Sequence, residues 1–428
     1  MLADKVIGNM VGNWLLVPEH LRLGTWDLLG GWAGAGGGDL PRRLAMQAIH
    51  ESALCLTGLR EQHCLNHKGF ELANGLPFVA SDVAIHRLLD ERTVLDAQRL
   101  QVALGRIRHT LGHFRGQLLA IDPHRLRSYS KRHMRQRKAN SSVPSAKMAQ
   151  TFFCLDADTR QPVCMTLATA AQTVAAATPP LLEMAADILN PPSPPLVLAD
   201  CEHFTVDLLQ HVRRAGRFDL LAPIPQQPYF RRRLQAIPPE HFTPRWAGYS
   251  TTQIPYDLLG DGSLPLALMV QRFGENADRF AWNGFVCTAD RPEVPVLTKD
   301  FPQRWHVEEF FNSHQAMGWQ RAGTQNLHIR YGRMSLALIA QAATCQLRQH
   351  LDKTTAAWDA KHLAGDLLAG MEGDVRVSHD TIVVTYYNAP LSDKLRARYE
   401  GTPDRLEAEG IDPHIPWLYN LKLDFRFR

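Results

Sequence analysis

The chain has 428 residues, 45% of them hydrophobic, with a formal net charge of +4 and a pI near 8.7. This length allows roughly two to three domains with large cores, and so mild a basic excess does not by itself identify a partner. The seven cysteines lack disulfide-like spacing, the start of the chain lacks a signal-like pattern, and the most apolar segment, 168–189, contains Gln172, Glu183 and Asp187. These features exclude a disulfide scaffold, argue against a membrane protein and predict a cytoplasmic location.

The first 115 residues have mainly helical patterns. Apolar residues recur at helical spacing from Pro41 to Gly58, and a long amphipathic pattern runs from Thr93 to Leu111. Between them, Ser81 and Asp82 form a helix-start signal for the segment that ends at Leu89. The sequence therefore predicts a helical N-terminal region.

From Gly116 the pattern changes to alternating strands and helices. The predicted helices are 173–189 and 205–215, and the predicted strands are 117–121, 150–155, 163–167, 195–199 and 219–224. A strand, a hairpin and then alternating helices and strands are typical of a mixed α/β sheet flanked by helices. We assign 116–225 to the first part of this core.

The next segment, 226–297, is predicted to be a β-rich insertion, punctuated by glycine and proline. Its strand candidates are 229–237, 250–258, 265–273 and 279–288. Helical spacing resumes at 299–317 and 329–350, so 298–351 is assigned to the second part of the core. A C-terminal region, 352–428, contains a strong strand at 381–387 and a polar helix at 393–399.

Three acids in this arrangement draw attention. Asp122 and Asp200 each end a short apolar run, and Glu308 lies on the predicted helix after the insertion. Each acid also has a structural interpretation: a turn at the Asp-Pro of Asp122, a cap toward Thr205 for Asp200, and a solvated helix face for Glu308. Because sites gather at strand ends in α/β sheets, the order of the three acids favours one shared site.

Converging carboxylates repel one another unless cations lie between them. An all-oxygen ligand set matches Mg²⁺ or Mn²⁺ better than zinc. The acids therefore predict a site for two such ions, held by Asp122, Asp200 and Glu308, of the kind that transfers phosphoryl groups.

The segment Phe301–Gln315, FPQRWHVEEFFNSHQ, carries a resemblance to a known family. With LLAIDP around Asp122, LVLADCEHF around Asp200 and the intervening β-rich segment, it resembles bacterial insertion-sequence transposases of the DDE type. The subgroup has a tyrosine, arginine, glutamate and lysine signature on the helix of the third acid. Arg304 and Glu308 match it, whereas Phe301 replaces the tyrosine and Gln315 the lysine.

The resemblance covers roughly 116–350 and implies an RNase H-like core, an all-β insertion and an N-terminal region that binds DNA. It implies that the three acids and two Mg²⁺ or Mn²⁺ ions cleave transposon ends and join the freed 3′-hydroxyl to target DNA. Because Phe301 cannot donate a hydrogen bond and Gln315 has no charge, phosphate contacts are expected from other residues. The predicted DNA contacts are Arg304, Arg125, Arg127, Lys131, Arg132, Arg231, Arg232 and Arg321.

Several alternatives remain open from the sequence. Arg304 has the spacing of an ion pair with Glu308, and Trp305 is expected to pack its helix onto the sheet. Trp246 and Trp282 are candidates for stacking on a flipped base, or aromatic residues of the insertion core. A recognition helix at 76–89 is as well supported as a core helix there.

The resemblance further implies double-stranded DNA as partner, namely terminal inverted repeats and target DNA, and a homodimer assembled on that DNA in the bacterial nucleoid. Two other functions fit the same residues: an RNase H-like nuclease without strand transfer, and a domesticated DNA-binding protein that lost activity.

Overall fold

The computed structural model describes the chain except residues 1–5, 9, 34–37, 57–67, 132, 134, 138–143, 170, 277–278, 321–323 and 325. The chain divides into two compact units. We call His109–Phe311 the core unit, and Met1–Arg108 with Asn312–Arg428 the terminal unit. Among the described residues, no helix combines the length and apolar character needed to cross a bilayer.

The N-terminal part of the terminal unit is helical, as predicted. It contains strand β1 (Val6–Gly8), a 3-10 helix (Val11–Leu15) and helices α1 (Leu16–Arg22), α2 (Thr25–Ala33), α3 (Leu40–Ala53), α4 (Lys68–Ala73), α5 (Asp82–Asp90) and α6 (Val94–Thr110). The Ser81 hydroxyl accepts a hydrogen bond from the Ala84 N–H at 3.4 Å, so α5 starts where the sequence signal placed it.

The core unit begins with β2 (Leu118–Arg127), β3 (Gln136–Arg137), β4 (Ala146–Asp156) and β5 (Gln161–Thr169). Helix α7 (Val174–Leu189), β6 (Leu196–Leu198), the 3-10 turn Cys201–His203, helix α8 (Val206–Ala215) and β7 (Asp219–Pro223) follow. Strand β4 runs antiparallel to β2, and β5 runs antiparallel to β4. Strand β6 pairs parallel with β2, and β7 pairs parallel with β6. The order β5-β4-β2-β6-β7 is the RNase H-like arrangement, so the fold-class prediction is confirmed.

The insertion contains helix α9 (Pro228–Gln235), β8 (Thr243–Trp246), β9 (Tyr249–Asp257), β10 (Pro265–Phe273) and β11 (Ala281–Cys287). Its strands extend the core sheet, because β11 pairs antiparallel with β7 and the order continues β11-β10-β9-β8. Next come α10 (Glu293–Pro295), a π-helix (Val296–Asp300), the 3-10 turn Phe301–Trp305 and α11 (His306–His314).

The prediction of a strand at 229–237 is wrong, because this segment forms α9. Pro228 occupies the first turn, where a proline fits a helix, and Phe230 and Leu234 lie one turn apart on the same face. Leu234 packs over Gly284 of β11, where a built Cβ would lie only 3.0 Å from the Leu234 methyl carbons. The segment is therefore a helix that buries Leu234 and half-buries Phe230, while Tyr229 is exposed.

The last part of the chain, from Asn312 within α11 onward, belongs to the terminal unit. It comprises a 3-10 turn (Gln315–Met317), α12 (Leu327–Gln349), α13 (Lys353–Ala356), α14 (Ala360–His362), a π-helix (Leu363–Ala369), β12 (Gly373–Ser378), β13 (Thr381–Tyr386), α15 (Ser392–Tyr399), α16 (Thr402–Ala408), a 3-10 turn (Pro416–Leu418) and β14 (Lys422–Phe427). The sheet order β1-β12-β13-β14 joins the two ends of the chain in one unit. The five-region division made from the sequence remains a prediction.

We predict that Phe153→Ala lowers the free energy of unfolding by about 3–5 kcal/mol, because this fully buried β4 side chain leaves a cavity under α11. The measurement is urea unfolding followed by circular dichroism. The matched control is Phe273→Ala on β10, a residue that is 36% exposed and should lose less, about 1–2 kcal/mol. Equal losses in the two variants would contradict this packing.

Candidate active site

The first acid, Asp122, lies within β2 rather than at its end. Strand β6 pairs only with Leu118–Ala120, whereas β4 follows β2 through Arg127. A proline is tolerated where a strand has lost a neighbour, so Pro123 does not end β2 as an Asp-Pro turn would. The turn interpretation of Asp122 is therefore wrong, and its side chain stands on the sheet at the point where β6 has ended.

The second acid follows β6 directly. Asp200 caps the 3-10 turn Cys201–His203, and its Oδ1 accepts hydrogen bonds from the Glu202 N–H at 3.0 Å and the His203 Nδ1–H at 2.6 Å. The His203 side chain is only 2% exposed. Asp200 is thus a cap, but of its own turn, since Thr205 caps α8 with its own hydroxyl. The histidine fixes the orientation of the carboxylate.

Aromatic packing brings the third acid to the other two. Phe153 is the cross-strand partner of Asp122, and residues directly opposite each other share a face of the sheet. The Phe310 and Phe311 rings pack on Phe153 with centroid distances of 5.8 and 5.2 Å. Because Glu308 precedes these rings on the same helix, this packing brings its carboxylate to the face that carries Asp122.

Arg304 contacts two of the acids. Its Nη1 lies 3.6 Å from Asp122 Oδ1, and its Nη2 lies 3.4 Å from Glu308 Oε1. The predicted ion pair with Glu308 is therefore present, together with a second one to Asp122. The neighbouring glutamate, Glu309, instead pairs with Arg160 at 3.1 Å on the exposed side of the helix. We call Asp122, Asp200 and Glu308 the acid cluster.

The acids act on one another electrostatically. Burial and the negative charges of Asp200 and Glu308 raise the pKa of Asp122 to about 7, against the opposing charges of Arg304 and Arg125. Burial would also raise the pKa of Asp200, but the hydrogen bond and charge of His203, the Glu202 N–H and Arg304 together lower it. Within the described part of the chain, no three His, Cys, Asp or Glu side chains form a preformed metal cluster.

A second ion pair ties the loop of Asp200 to the strand of Asp122. Arg125 donates to both carboxylate oxygens of Glu202, with Nη1 2.9 Å from Oε1, and its Nε donates to Gln150 at 3.1 Å. Arg125 is therefore already engaged within the protein, and a phosphate contact from it would compete with Glu202.

The other predicted DNA contacts differ in accessibility. Arg127 and Lys131 are exposed, as are Arg231 and Arg232 on α9. The Phe230 ring of α9 packs edge-on against Phe204, four residues after Asp200, with a centroid distance of 5.4 Å. Helix α9 thus lies beside the turn that holds the second acid. Arg132 and Arg321 lie outside the described residues.

The two tryptophans of the insertion have different surroundings. Trp246 is 54% exposed and stacks on Tyr249 at 4.2 Å with nearly parallel rings. Trp282 packs edge-on against Phe242 at 5.3 Å, and the Arg272 guanidinium lies over both rings. Trp246 is exposed whereas Trp282 is half-buried, so base stacking stays a prediction that suits Trp246 better than Trp282.

Two aromatic residues of the 3-10 turn Phe301–Trp305 have contacts that the sequence did not predict. Trp305 is 55% exposed, so the prediction that it packs onto the sheet is wrong; its ring lies 4.9 Å from the Arg304 guanidinium instead. Phe301 packs edge-on against Phe285 of β11 at 4.7 Å, which explains an apolar ring at this position.

Sequence reasoning missed three residues near the acids. His203 and Glu202 follow Asp200 within one turn, and the spacing Asp-x-x-His after a buried strand is a signal that could have identified His203. His124 lies two residues after Asp122, stacks on Phe311 at 4.3 Å, and burial lowers its pKa to about 4. No local pattern marks it, because its contact comes from a distant helix.

The pKa shifts predict opposite effects of two similar substitutions in metal-free buffer. The folded-state pKa of Asp122 is above the unfolded value, so its stabilising contribution is present below about pH 4 and is lost as the pH rises through about 7. Asp122→Asn should therefore be more stable than wild type at pH 8, by about 2–4 kcal/mol, with the difference vanishing near pH 4.

Asp200→Asn provides the contrasting variant. The folded-state pKa of Asp200 is lowered, so its contribution is present above the unfolded value and is lost as the pH falls through the folded value. This variant should be less stable than wild type at pH 8, and the deficit should shrink in acid. Urea unfolding between pH 4 and 8 measures both; the same sign for both at pH 8 would contradict the charge distribution described above.

Comparisons with known proteins identify no family for this chain. No family model matches it, and no curated protein matches it in sequence. Among solved structures, it is similar to a piggyBac transposase in a synaptic complex with hairpin DNA, with 11% sequence identity, a TM-score of 0.42, and coverage of 86% of this chain and 83% of that one. The function therefore has to be inferred from the geometry of the site itself.

Proposed function

We propose that this protein is a DNA transposase of the DDE type, which cleaves transposon ends and joins the freed 3′-hydroxyl to target DNA. The observation that supports the proposal is the acid cluster: three acids from distant parts of the chain converge on one face of an RNase H-like sheet. Asp122 is part of β2, Asp200 follows β6, and Glu308 is held over them by α11. Their convergence costs electrostatic energy, which a purely structural role would not explain.

The acid cluster fits Mg²⁺ or Mn²⁺ by its chemistry. It offers only carboxylate oxygens, which are hard ligands. Burial, together with the negative charges of Asp200 and Glu308, raises the pKa of Asp122 to about 7, and a bound cation would offset both effects. We infer that Asp122, Asp200 and Glu308 would hold two ions. When bound, such ions activate a water or a 3′-hydroxyl and stabilise the leaving oxygen.

The protein's own residues orient this site. His203 and the Glu202 N–H hold Asp200 in one orientation and favour its ionised form. The Arg125–Glu202 pair ties the Asp200 turn to β2, so that the two aspartates keep their spacing. A site that needs fixed charge positions benefits from such support.

DNA would reach the site along basic side chains. We assign phosphate contacts to Arg231 and Arg232 on α9, and to Arg127 and Lys131 beyond Asp122, because all four are exposed. Arg304 forms ion pairs with two of the acids and would contact the phosphate at the cleaved bond. Trp246, with its exposed ring, is the candidate for stacking on an unpaired base.

The bacterial insertion-sequence origin, the homodimer on DNA and a nucleoid-associated location in the cytoplasm belong to this proposal. A nuclease without strand transfer would use the same acids, so only a joining assay separates it from a transposase. An inactive DNA-binding relative is the weaker alternative, because all three acids are retained and converge.

We predict that Asp122→Asn, Asp200→Asn and Glu308→Gln each reduce Mg²⁺-dependent cleavage about a thousandfold or more, because each removes a charge that holds metal. The substrate is DNA carrying the inverted repeats that flank the gene. DNA binding in EDTA should persist. Glu309→Gln is the matched control, since Glu309 pairs with Arg160 instead, and it should retain cleavage.

Near wild-type cleavage by the Glu308→Gln protein would refute the assignment of the third acid. A precut end with a free 3′-hydroxyl tests the second step. Joining to target DNA identifies a transposase, whereas cleavage without joining identifies the nuclease alternative.

We predict that Arg231→Ala and Arg232→Ala each weaken DNA binding. Each should also make the fall of log K with log salt shallower, by about one unit of slope, because each removes one phosphate contact. Fluorescence anisotropy from low to moderate salt measures the slope. Arg217→Ala is the control, because this exposed arginine already pairs with Asp187 at 3.7 Å. An unchanged slope in both α9 variants would contradict the proposed path of the DNA.

A further inference from the structure

We infer that Arg304 is the internal counterion of the acid cluster and that a divalent metal ion displaces it. The displaced arginine is then free to bind a nucleic-acid phosphate. The inference rests on the proposed function, because it concerns how that metal site is regulated. It assigns to one arginine two successive partners, the acids without metal and the phosphate with metal.

The contacts of Arg304 carry the first step. Its guanidinium lies 3.6 Å from Asp122 and 3.4 Å from Glu308, and its charge also favours the ionised form of Asp200. The side chain is only 12% exposed. This half-buried cation therefore interacts with all three acids, and a metal ion held by the same acids would compete with it.

The long N–O distances of the Arg304 ion pairs indicate that this side chain can be displaced. Charge-assisted pairs of arginine and carboxylate normally have N–O distances of about 2.7–2.9 Å. The Arg125–Glu202 pair of the same unit meets this standard, with 2.9 Å for Nη1 to Oε1, and engages both carboxylate oxygens. Each Arg304 contact is longer and involves one oxygen of each acid. Arg125 is therefore built in, whereas Arg304 is held weakly enough to be exchanged.

Charge repulsion makes the exchange mutual. A divalent ion and a guanidinium a few ångströms apart repel strongly in a partly buried site, so both cannot occupy the centre of the acid cluster. Arg304 is the cation that contacts two of the acids and acts electrostatically on the third.

Trp305 offers the displaced side chain an adjacent surface. The guanidinium already lies 4.9 Å from the centre of this ring, and the ring is 55% exposed. Arg304 can move outward while keeping a cation–π contact, with its N–H donors turned toward solvent. From there it can donate to two phosphate oxygens at once.

The test is Mn²⁺ binding without DNA, measured at pH 8.5 by electron paramagnetic resonance of the free ion. Arg304→Gln should bind Mn²⁺ about fivefold more tightly than wild type, because the competing cation is gone. The matched control is Arg291→Gln, which removes the same charge from an ion pair with Asp219 and should change the affinity less than twofold.

The outcomes separate the inference from the proposed function. If Asp200→Asn leaves Mn²⁺ binding unchanged, the metal site itself is wrong. If Asp200→Asn abolishes binding but Arg304→Gln binds no more tightly than wild type, the metal site stands and the counterion inference is overturned.

A second measurement follows the movement of Arg304 directly. Mg²⁺ should change the tryptophan emission of the wild-type protein, because the cation over the Trp305 ring shifts. The change should be absent in Trp305→Phe and in Arg304→Gln. Competition with Mn²⁺ shows whether Mg²⁺ is bound; bound Mg²⁺ with unchanged wild-type emission would overturn the displacement.

Discussion

The packing of α11 on the core sheet is the interaction on which the site depends. Phe310 and Phe311 lie against Phe153, the cross-strand neighbour of Asp122. Aromatic packing of this kind has a preferred geometry, so it fixes the helix as well as holding it. Glu308 precedes these rings on α11, so their packing sets where its carboxylate lies relative to Asp122. A defect in this apolar contact would therefore displace a charged group.

Apolar packing in this protein holds charges where they repel each other. Burial, with the charges of Asp200 and Glu308, raises the pKa of Asp122 to about 7, whereas the partners of Asp200 lower its pKa in spite of burial. His203 donates a short hydrogen bond to Asp200, whereas the ion pair of Asp122 with Arg304 is longer, at 3.6 Å. The two aspartates are chemically the same residue, and their partners make them different acids.

The insertion is continuous with the sheet that carries the acids. Strand β11 pairs with β7, and α9 lies beside the turn after Asp200 through the Phe204–Phe230 contact. The exposed arginines of α9 are thereby fixed to the same framework as the acid cluster. The position of these arginines relative to the acids is therefore set by strand pairing and by the Phe204–Phe230 contact.

The sequence by itself predicted most of the element types and singled out the three acids as candidates for one shared site. Each rests on a local signal: apolar periodicity, caps such as Ser81, and acids at the ends of apolar runs. Where a local signal was ambiguous it failed, as at 229–237, where Phe230 and Leu234 fit a helix stripe as well as a strand.

Only the tertiary structure decided which partner each charged residue has. Arg125 pairs with Glu202, Glu309 pairs with Arg160, and Arg304 lies between Asp122 and Glu308. Of these contacts, sequence spacing predicts only the ion pair between Arg304 and Glu308, four residues apart. Such contacts depend on register and on how a helix packs over a sheet. Register and helix packing are set by apolar side chains far away in the sequence. The sequence could therefore suggest the acids as candidate metal ligands, but not their ion pairs or their pKa shifts.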